Sequence, residues 1–241
     1  MQRVRALSVV MLALVGLLGL SGCQNDPSKV ASINGTTLSE SKVQDSVRAV
    51  EANYQATPPQ TAHQRSRADI YQLIVGFTVA TEAARRLAEE KGFPAPTPDY
   101  KASAAFYELP DTDPLVKAHA EFTAYRDLLQ RAVNPATPTE EDMRAVYDRY
   151  AAEARAANQE PAPYDTDVRP ALLESADYRS ALGLRDELVA AFDRFGLAVN
   201  PKYAPVRVPL YGIPNRNFAN DELLLVELPV HLGTGAVADV S

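Results

Sequence analysis

The sequence has few of the residue types that most catalytic and metal sites use. It contains one cysteine, three histidines and no tryptophan. The histidines (His63, His119 and His231) lie far apart, and none has a carboxylate or a second histidine at a metal-ligand spacing such as H-E-x-x-H. The chain also lacks a G-x-S-x-G nucleophile motif and a glycine-rich phosphate loop. We therefore expect no catalytic residue, no metal site and no cofactor.

Glycine is also scarce, with 11 residues, whereas alanine is abundant, which favours helices over a β-sandwich. The chain carries a net charge of −7 and no basic stripe, which argues against a nucleic-acid partner. Its 18 prolines fall mostly between segments of helical periodicity, where they mark breaks. The composition thus predicts a mainly α-helical protein with a few short strands.

A basic and then apolar leader opens the chain. Arg3 and Arg5 precede an apolar run over residues 6–20 that is too short to cross a bilayer comfortably. A basic start, a short apolar core and a small-residue cleavage site are typical of a secretory signal peptide, here residues 1–22. The sequence therefore predicts export from the cytoplasm.

The end of this leader, Leu20-Ser21-Gly22-Cys23, resembles a bacterial lipobox. In such signals the cysteine thiol receives a diacylglyceryl group, and cleavage makes that cysteine the new N-terminus. The alternative is an ordinary secretory peptide that happens to contain a cysteine. The lipobox interpretation predicts a palmitate-bearing lipoprotein on the extracytoplasmic face of the cell membrane, held there through Cys23 and a polar tether over residues 23–29. A lipidated Cys23 would leave no thiol for a disulfide in the mature chain.

The segment from Val30 to Ser39 predicts a short hairpin that leads into a helix. Asn34-Gly35 is the dipeptide best suited to two residues at positive φ in a tight turn. Ser39 can then cap a helix. That helix has one apolar face, formed by Val43, Val47, Val50 and Tyr54.

Helical periodicity and breaks predict the remaining elements. A long, apolar helix over about 63–91 is the predicted centre of the core. Asp99 and Asp113-Pro114 predict the starts of two further helices. The other predicted elements are a helix over about 138–157, one helix from about 167 to 195, and short strands near 197–199, 206–210 and 223–230.

Three segments, taken in order, resemble SurA/PrsA-type extracytoplasmic foldases. Val30 to Ser39 is similar to the family's "V-A-x-V-N-G-x-x-I" opening, and residues 138–147 resemble its "P-T-x-E-E-hydrophobic-x-x-x-Y" helix. Tyr164–Pro170, the following helix and Val199–Tyr203 look like the part that ends in "V-N-P-R-Y". The resemblance implies a helical chaperone domain of the SurA N-terminal or trigger-factor-like type over residues 30–203. Residues 204–241 form an extension without a counterpart.

The chain departs from these foldases at one place. In the family, a parvulin prolyl-isomerase domain lies between the last two segments, whereas here only residues 158–167 lie between them. A loop of this length cannot bury a core of its own. The resemblance therefore implies the chaperone part without the isomerase.

An aromatic set in the middle helices is the candidate binding surface. Its members could form an apolar groove with tyrosine hydroxyls at the rim, or they could simply pack the core. If they exceed what the core needs, a contiguous exposed patch should remain. The candidate peptide-binding residues are Phe106, Tyr107, Phe122, Tyr125, Tyr147 and Tyr150, and Tyr100 belongs to the same set.

Three functions are compatible with these observations. The first is a lipid-anchored chaperone-like protein that binds unfolded or nascent secreted polypeptides without catalysis. The second is an envelope adaptor lipoprotein that docks one folded partner. The third, a residual prolyl isomerase, conflicts with the short segment at residues 158–167.

Overall fold

The computed structural model describes residues 28–58, 65–156, 158–212 and 224–227. These residues are mainly helical, as predicted, with a small three-stranded antiparallel sheet and a separate two-stranded one. The predicted signal peptide (residues 1–22) and Cys23 lie outside the described residues. The elements are β1 (Lys29–Ile33), β2 (Thr36–Ser39), α1 (Glu40–Ala56), α2 (Arg67–Glu90), α3 (Tyr100–Tyr107), α4 (Pro114–Gln130), α5 (Glu140–Ala156), α6 (Arg169–Glu174), α7 (Ala176–Arg194), β3 (Ala198–Val199), β4 (Arg207–Tyr211) and β5 (Leu224–Glu227).

The predicted hairpin forms at Asn34-Gly35. Both residues have positive φ, 45° and 81°, as a two-residue turn of type I′ requires. Strands β1 and β2 pair antiparallel on either side of the turn, with Ile33 opposite Thr36. Strand β1 also pairs with β3, so the sheet order is β2-β1-β3.

The pairing of β1 with β3 joins distant parts of the chain. The Asn200 amide donates to the Val30 carbonyl at 2.9 Å, and its side chain donates to the Lys29 carbonyl at 3.0 Å. At the hairpin tip, the Asn34 amide donates to the Phe195 carbonyl at 3.0 Å. The first and last parts of the helical body are therefore fastened to the same strand.

Helix α1 follows β2 without a linker. The Ser39 side chain accepts a hydrogen bond from the Lys42 amide and so caps the helix, as predicted. The predicted apolar face is buried: Val43, Val47, Val50 and Tyr54.

Helix α2 is the centre of the core. It contacts α1, α4, α7, β1 and β4. Its buried face includes Ile70, Phe77 and Leu87, and each fully buried side chain of this size contributes roughly 1.5–3 kcal/mol. The helix begins at Arg67, later than the predicted start, because Ser66 and Asp69 form a capping box. The predicted start at His63 lies outside the described residues.

Buried Asp113 connects two helices. One carboxylate oxygen accepts from the Leu115 amide at 2.7 Å and caps α4, whose first residue is Pro114. The other accepts from the Asn53 side chain on α1, also at 2.7 Å. The predicted cap thus also fixes α4 against α1.

The prediction of one helix from about 167 to 195 is wrong. A single π-helical turn at Tyr164–Val168 leads into α6, and the chain then breaks at Ser175 before α7. Ser175 has an extended backbone (ψ 111°), and its hydroxyl accepts from the Tyr178 amide. A serine side chain can hydrogen-bond to a nearby backbone amide in place of the helical backbone hydrogen bond. Ser175 therefore caps a second helix and does not continue the first.

A short connection joins α5 to the π-helical turn that precedes α6. Helix α5 ends at Ala156, and the π-helical turn begins at Tyr164. The connection folds back on α5, because the Gln159 amide donates to the Ala154 carbonyl and the Ala162 amide donates to the Tyr150 hydroxyl at 3.1 Å. The described part of this connection therefore packs on the helical body.

Gly183 provides a test of how closely α7 packs against the loop of residues 131–136. A Cβ atom at this position would lie 2.2 Å from the Asn134 carbonyl oxygen. Helix propensity alone favours Gly183→Ala by roughly 0.5–1 kcal/mol. We expect the opposite, a loss of about 1–3 kcal/mol in the free energy of unfolding, because the backbone of the 131–136 loop must move. Denaturant unfolding should show a lower midpoint, and a midpoint equal to or above that of the parent would contradict the contact.

Candidate functional site

The first group of candidate aromatic residues surrounds His119, where α2, α3 and α4 meet. The His119 ring stacks on Phe106, with centroids 5.5 Å apart and an interplanar angle of 7°, and it meets Tyr107 edge-on at 5.1 Å. Phe77 of α2 stacks on Phe122 at 5.6 Å. The sequence analysis identified three members of this group but not the histidine at its centre.

Burial decides what this group can contact. Tyr107 and Phe122 are 0% and 1% exposed, and Phe106 is half-buried. These exposures leave a bound chain almost no surface of Tyr107 or Phe122 to contact. The core-packing interpretation therefore applies to these two residues.

His119 is held neutral by its surroundings. Burial lowers its pKa from 6.5 to about 4, and the charges of Arg126 and Arg65 act in the same direction. Its Nδ1 atom lies 2.9 Å from the hydroxyl of buried Ser103, and its Nε2 atom lies 3.4 Å from that of Thr123. A hydrolytic triad would instead have a carboxylate behind the histidine. The described arrangement is that of a hydrogen-bonded core histidine.

The second group lies on α5. Tyr147 packs against Tyr164 with centroids 5.0 Å apart, and Arg144 lies 3.6 Å above the Tyr164 ring. Tyr147 and Tyr150 are half-buried and hold the 158–168 segment on the helix. Tyr125 is half-buried on α4 against the core. The six candidate residues thus occupy separate places and do not form one continuous groove.

Large exposed apolar side chains are rare in the described part of the chain. Tyr100 and Val189 are 37% and 40% exposed, and they belong to different helices, α3 and α7. The contiguous exposed aromatic patch that the sequence analysis looked for is therefore not formed by the described residues.

A groove of about 530 Å³ lies instead beside the hairpin. Strands β1 and β2 together with α1 line one side, the first turns of α4 line the other, and α2 forms the floor. Leu38, Ile74, Val79 and Ala118 contribute apolar surface. Sequence reasoning missed this groove because its walls come from elements that are distant in sequence. The exposed threonine pair beside the hairpin turn, Thr36-Thr37, was its only local sign.

Some of the charged side chains around the groove form ion pairs, and others form none with a described residue. Arg85 forms ion pairs with Glu82, at 2.8 Å, and with Glu89. Burial would raise the pKa of Glu82, but hydrogen bonds from Arg85 and Arg86 hold it below its ordinary value. Lys42 and Lys117 are exposed at the rim and form no ion pair with any described residue. With Glu121 as the other exposed charge, the unpaired charges of the rim sum to a positive value.

In residues 28–58, 65–156, 158–212 and 224–227, no three His, Cys, Asp or Glu side chains are grouped so that they could hold a metal ion. Within the same ranges, no helix has the length and apolarity needed to cross a membrane.

Comparisons of the chain with protein-family models, curated proteins and solved structures gave no match.

The largely buried His119 makes stability depend on pH. Its folded-state pKa of about 4 lies below the ordinary 6.5, so between these values the unfolded chain binds more protons. Its contribution to the free energy of unfolding should therefore be intact above pH 6.5 and decrease as the pH falls toward 4. We expect His119→Gln to lose less stability than the parent between pH 7 and pH 5 in denaturant unfolding. Equal losses, or a His119 NMR titration near 6.5, would contradict a buried neutral ring.

Proposed function

We propose that this is a lipid-anchored extracytoplasmic protein that binds unfolded or nascent secreted polypeptides, in the manner of a chaperone and without catalysis. The observation that carries the proposal is the groove between the hairpin and α4. Its lining combines apolar side chains with threonines that a bound chain can contact, and its rim offers charges that an extended chain can meet. Its volume is within the roughly 300–1,000 Å³ of typical ligand sites.

The arrangement of the resembling segments also supports one chaperone-like domain. The opening at Val30 and the segment Val199–Tyr203 are hydrogen-bonded neighbours, through the Asn200 amide and the Val30 carbonyl. They therefore belong to one folded body, as the resemblance to the SurA/PrsA type implies. The proposal includes no isomerase activity, because the connection between α5 and α6 is short.

An envelope adaptor that docks one folded partner is the second candidate. The scarcity of large exposed apolar side chains among the described residues favours it, since a general binder of unfolded chains exposes contiguous apolar surface. Pull-down from detergent-solubilised membranes separates the two candidates. One stoichiometric partner supports the adaptor, whereas a spread of secreted proteins supports the chaperone.

Filling the groove should abolish client binding. Thr78 is half-buried on α2 and lines the groove, so Thr78→Trp places a large ring in it. We expect the parent protein to suppress light scattering from a reduced, unfolding client at stoichiometric excess, and Thr78→Trp to lose most of this effect.

Val189→Trp is the matched control, because Val189 is exposed on α7 and does not line the groove. It should act like the parent. Absence of suppression by the parent would contradict the proposed function, and equal suppression by Thr78→Trp would place the client elsewhere.

Lipidation can be tested independently of client binding. We expect the expressed protein to incorporate a palmitate analogue and to fractionate with membranes, because Cys23 occupies the lipobox position. Cys23→Ser should lose the label and leave the membrane fraction, with Ser28→Thr as a control outside the lipobox. A labelled Cys23→Ser protein would contradict the assignment.

A further inference from the structure

We infer that an extended peptide binds in the groove as an additional β-strand on the free edge of β2. This inference rests on the proposed function and specifies how a polypeptide is held. In this arrangement most contacts between β2 and the peptide are hydrogen bonds to the peptide backbone, and every second peptide side chain adds a smaller contribution to binding. Such strand addition is a general mode of peptide recognition, in which main-chain hydrogen bonds supply affinity and pockets supply selectivity.

Strand β2 is the edge of its sheet, since the order is β2-β1-β3. The residues that flank a two-residue turn, Ile33 and Thr36, exchange hydrogen bonds across the hairpin. Hydrogen-bonded and non-bonded pairs then alternate, so Ser32 opposite Thr37 is a non-bonded pair. Thr37 consequently directs its N–H and C=O away from β1, toward the open edge.

The other side of the hairpin follows the same alternation. Ser32 directs its backbone groups away from β2, and there it lies opposite Ala198 of β3. Strand β3 thus uses one edge of the hairpin, while the other edge has no strand among the described residues. Thr37 is exposed, and no described residue forms a hydrogen bond with its outward backbone groups. An unpaired edge of this kind is a template for another extended chain.

The groove lies along this edge. Both hairpin strands line it on the sheet side, β2 through residues 36–38 and β1 through residues 31–33, and Lys117 and Ala118 line it on the α4 side. A strand added to β2 would lie about 4.8 Å from it, which places the strand between β2 and α4. Because side chains alternate along a strand, every second one would point toward the floor formed by α2. An extended chain would therefore pair with the open hydrogen-bonding groups of β2 and place alternate side chains against Ile74, Thr78 and Val79 of the floor.

The charged side chains at the rim of the groove would contact those peptide side chains that point away from the floor. Lys42 and Lys117 have no ion pair with a described residue, and Glu121 is the opposing exposed carboxylate. The surplus of positive charge favours a peptide in which acidic residues alternate with apolar ones. The occupant we assign is therefore an unfolded segment of alternating apolar and acidic residues.

Thr37→Pro tests this assignment directly. Proline removes the outward N–H, and an edge position with its N–H toward solvent tolerates it without loss of a ladder bond. Thr37→Val is the matched control, because it keeps the N–H and the β-branched shape and removes only the hydroxyl. The probe is a short fluorescent peptide of alternating Val and Glu, with fluorescence anisotropy as the readout.

We expect Thr37→Pro to weaken peptide binding by about tenfold or more, the equivalent of a lost hydrogen bond together with ring crowding. Thr37→Val should bind like the parent, and denaturant midpoints should report whether both variants fold. A second measurement needs no protein variant: the same peptide, N-methylated at alternate amides, should bind the parent at least about tenfold more weakly.

The outcomes separate this inference from the proposed function. If the parent suppresses client aggregation but binds the N-methylated and unmodified peptides equally, strand addition is overturned and the proposed function stands. If the parent neither suppresses aggregation nor binds the peptide, both are overturned. If light scattering shows a dimer that Thr37→Pro dissociates, the edge pairs with a second copy of the chain, and the peptide assignment is overturned.

Discussion

The fold depends on the pairing of β1 with a strand almost at the other end of the helical body. Val199 lies opposite Ala31, and Asn200 bonds to β1 through both its backbone and its side chain. Closing so long a loop costs entropy, which local contacts cannot offset. The buried face of α2 offsets it, because this helix contacts the sheet and also α1, α4 and α7. Sheet and core therefore require each other.

Close packing against α2 and α7 also explains two glycines inside helices. A Cβ at Gly76 would lie 2.7 Å from the Arg207 carbonyl, and one at Gly183 would meet the Asn134 carbonyl. Glycine weakens a helix interior, yet here it lets a backbone segment approach the helix directly. The approach at Gly76 brings β4 onto α2, so the C-terminal part of the described chain belongs to the same body.

Local signals in the sequence predicted the local structure well. Asn34-Gly35 predicted the hairpin, the valine spacing predicted the buried face of α1, and Asp113-Pro114 predicted the start of α4, because each is decided by a few neighbouring residues. Ser175 was missed because helical periodicity continues on both sides of it, and only its side-chain cap reveals the break.

The candidate site was harder to predict than the elements. Tyr107 and Phe122 have the same helical spacing whether their face is covered or open, and periodicity cannot tell which element covers it. In the structure α2, α3 and α4 cover both residues together. The groove depends on β2, α2 and α4 meeting, and the threonine pair Thr36-Thr37 alone does not reveal such a long-range arrangement.

The position of β1 has a mechanical consequence for an anchored protein. Lys29, the first residue of β1, is only a few residues from Cys23, and the strand is held on one side by β2 and on the other by β3. Tension from such an anchor would reach the fold first at β1, and the hydrogen bonds of this strand to β2 and β3 would be the first to resist it.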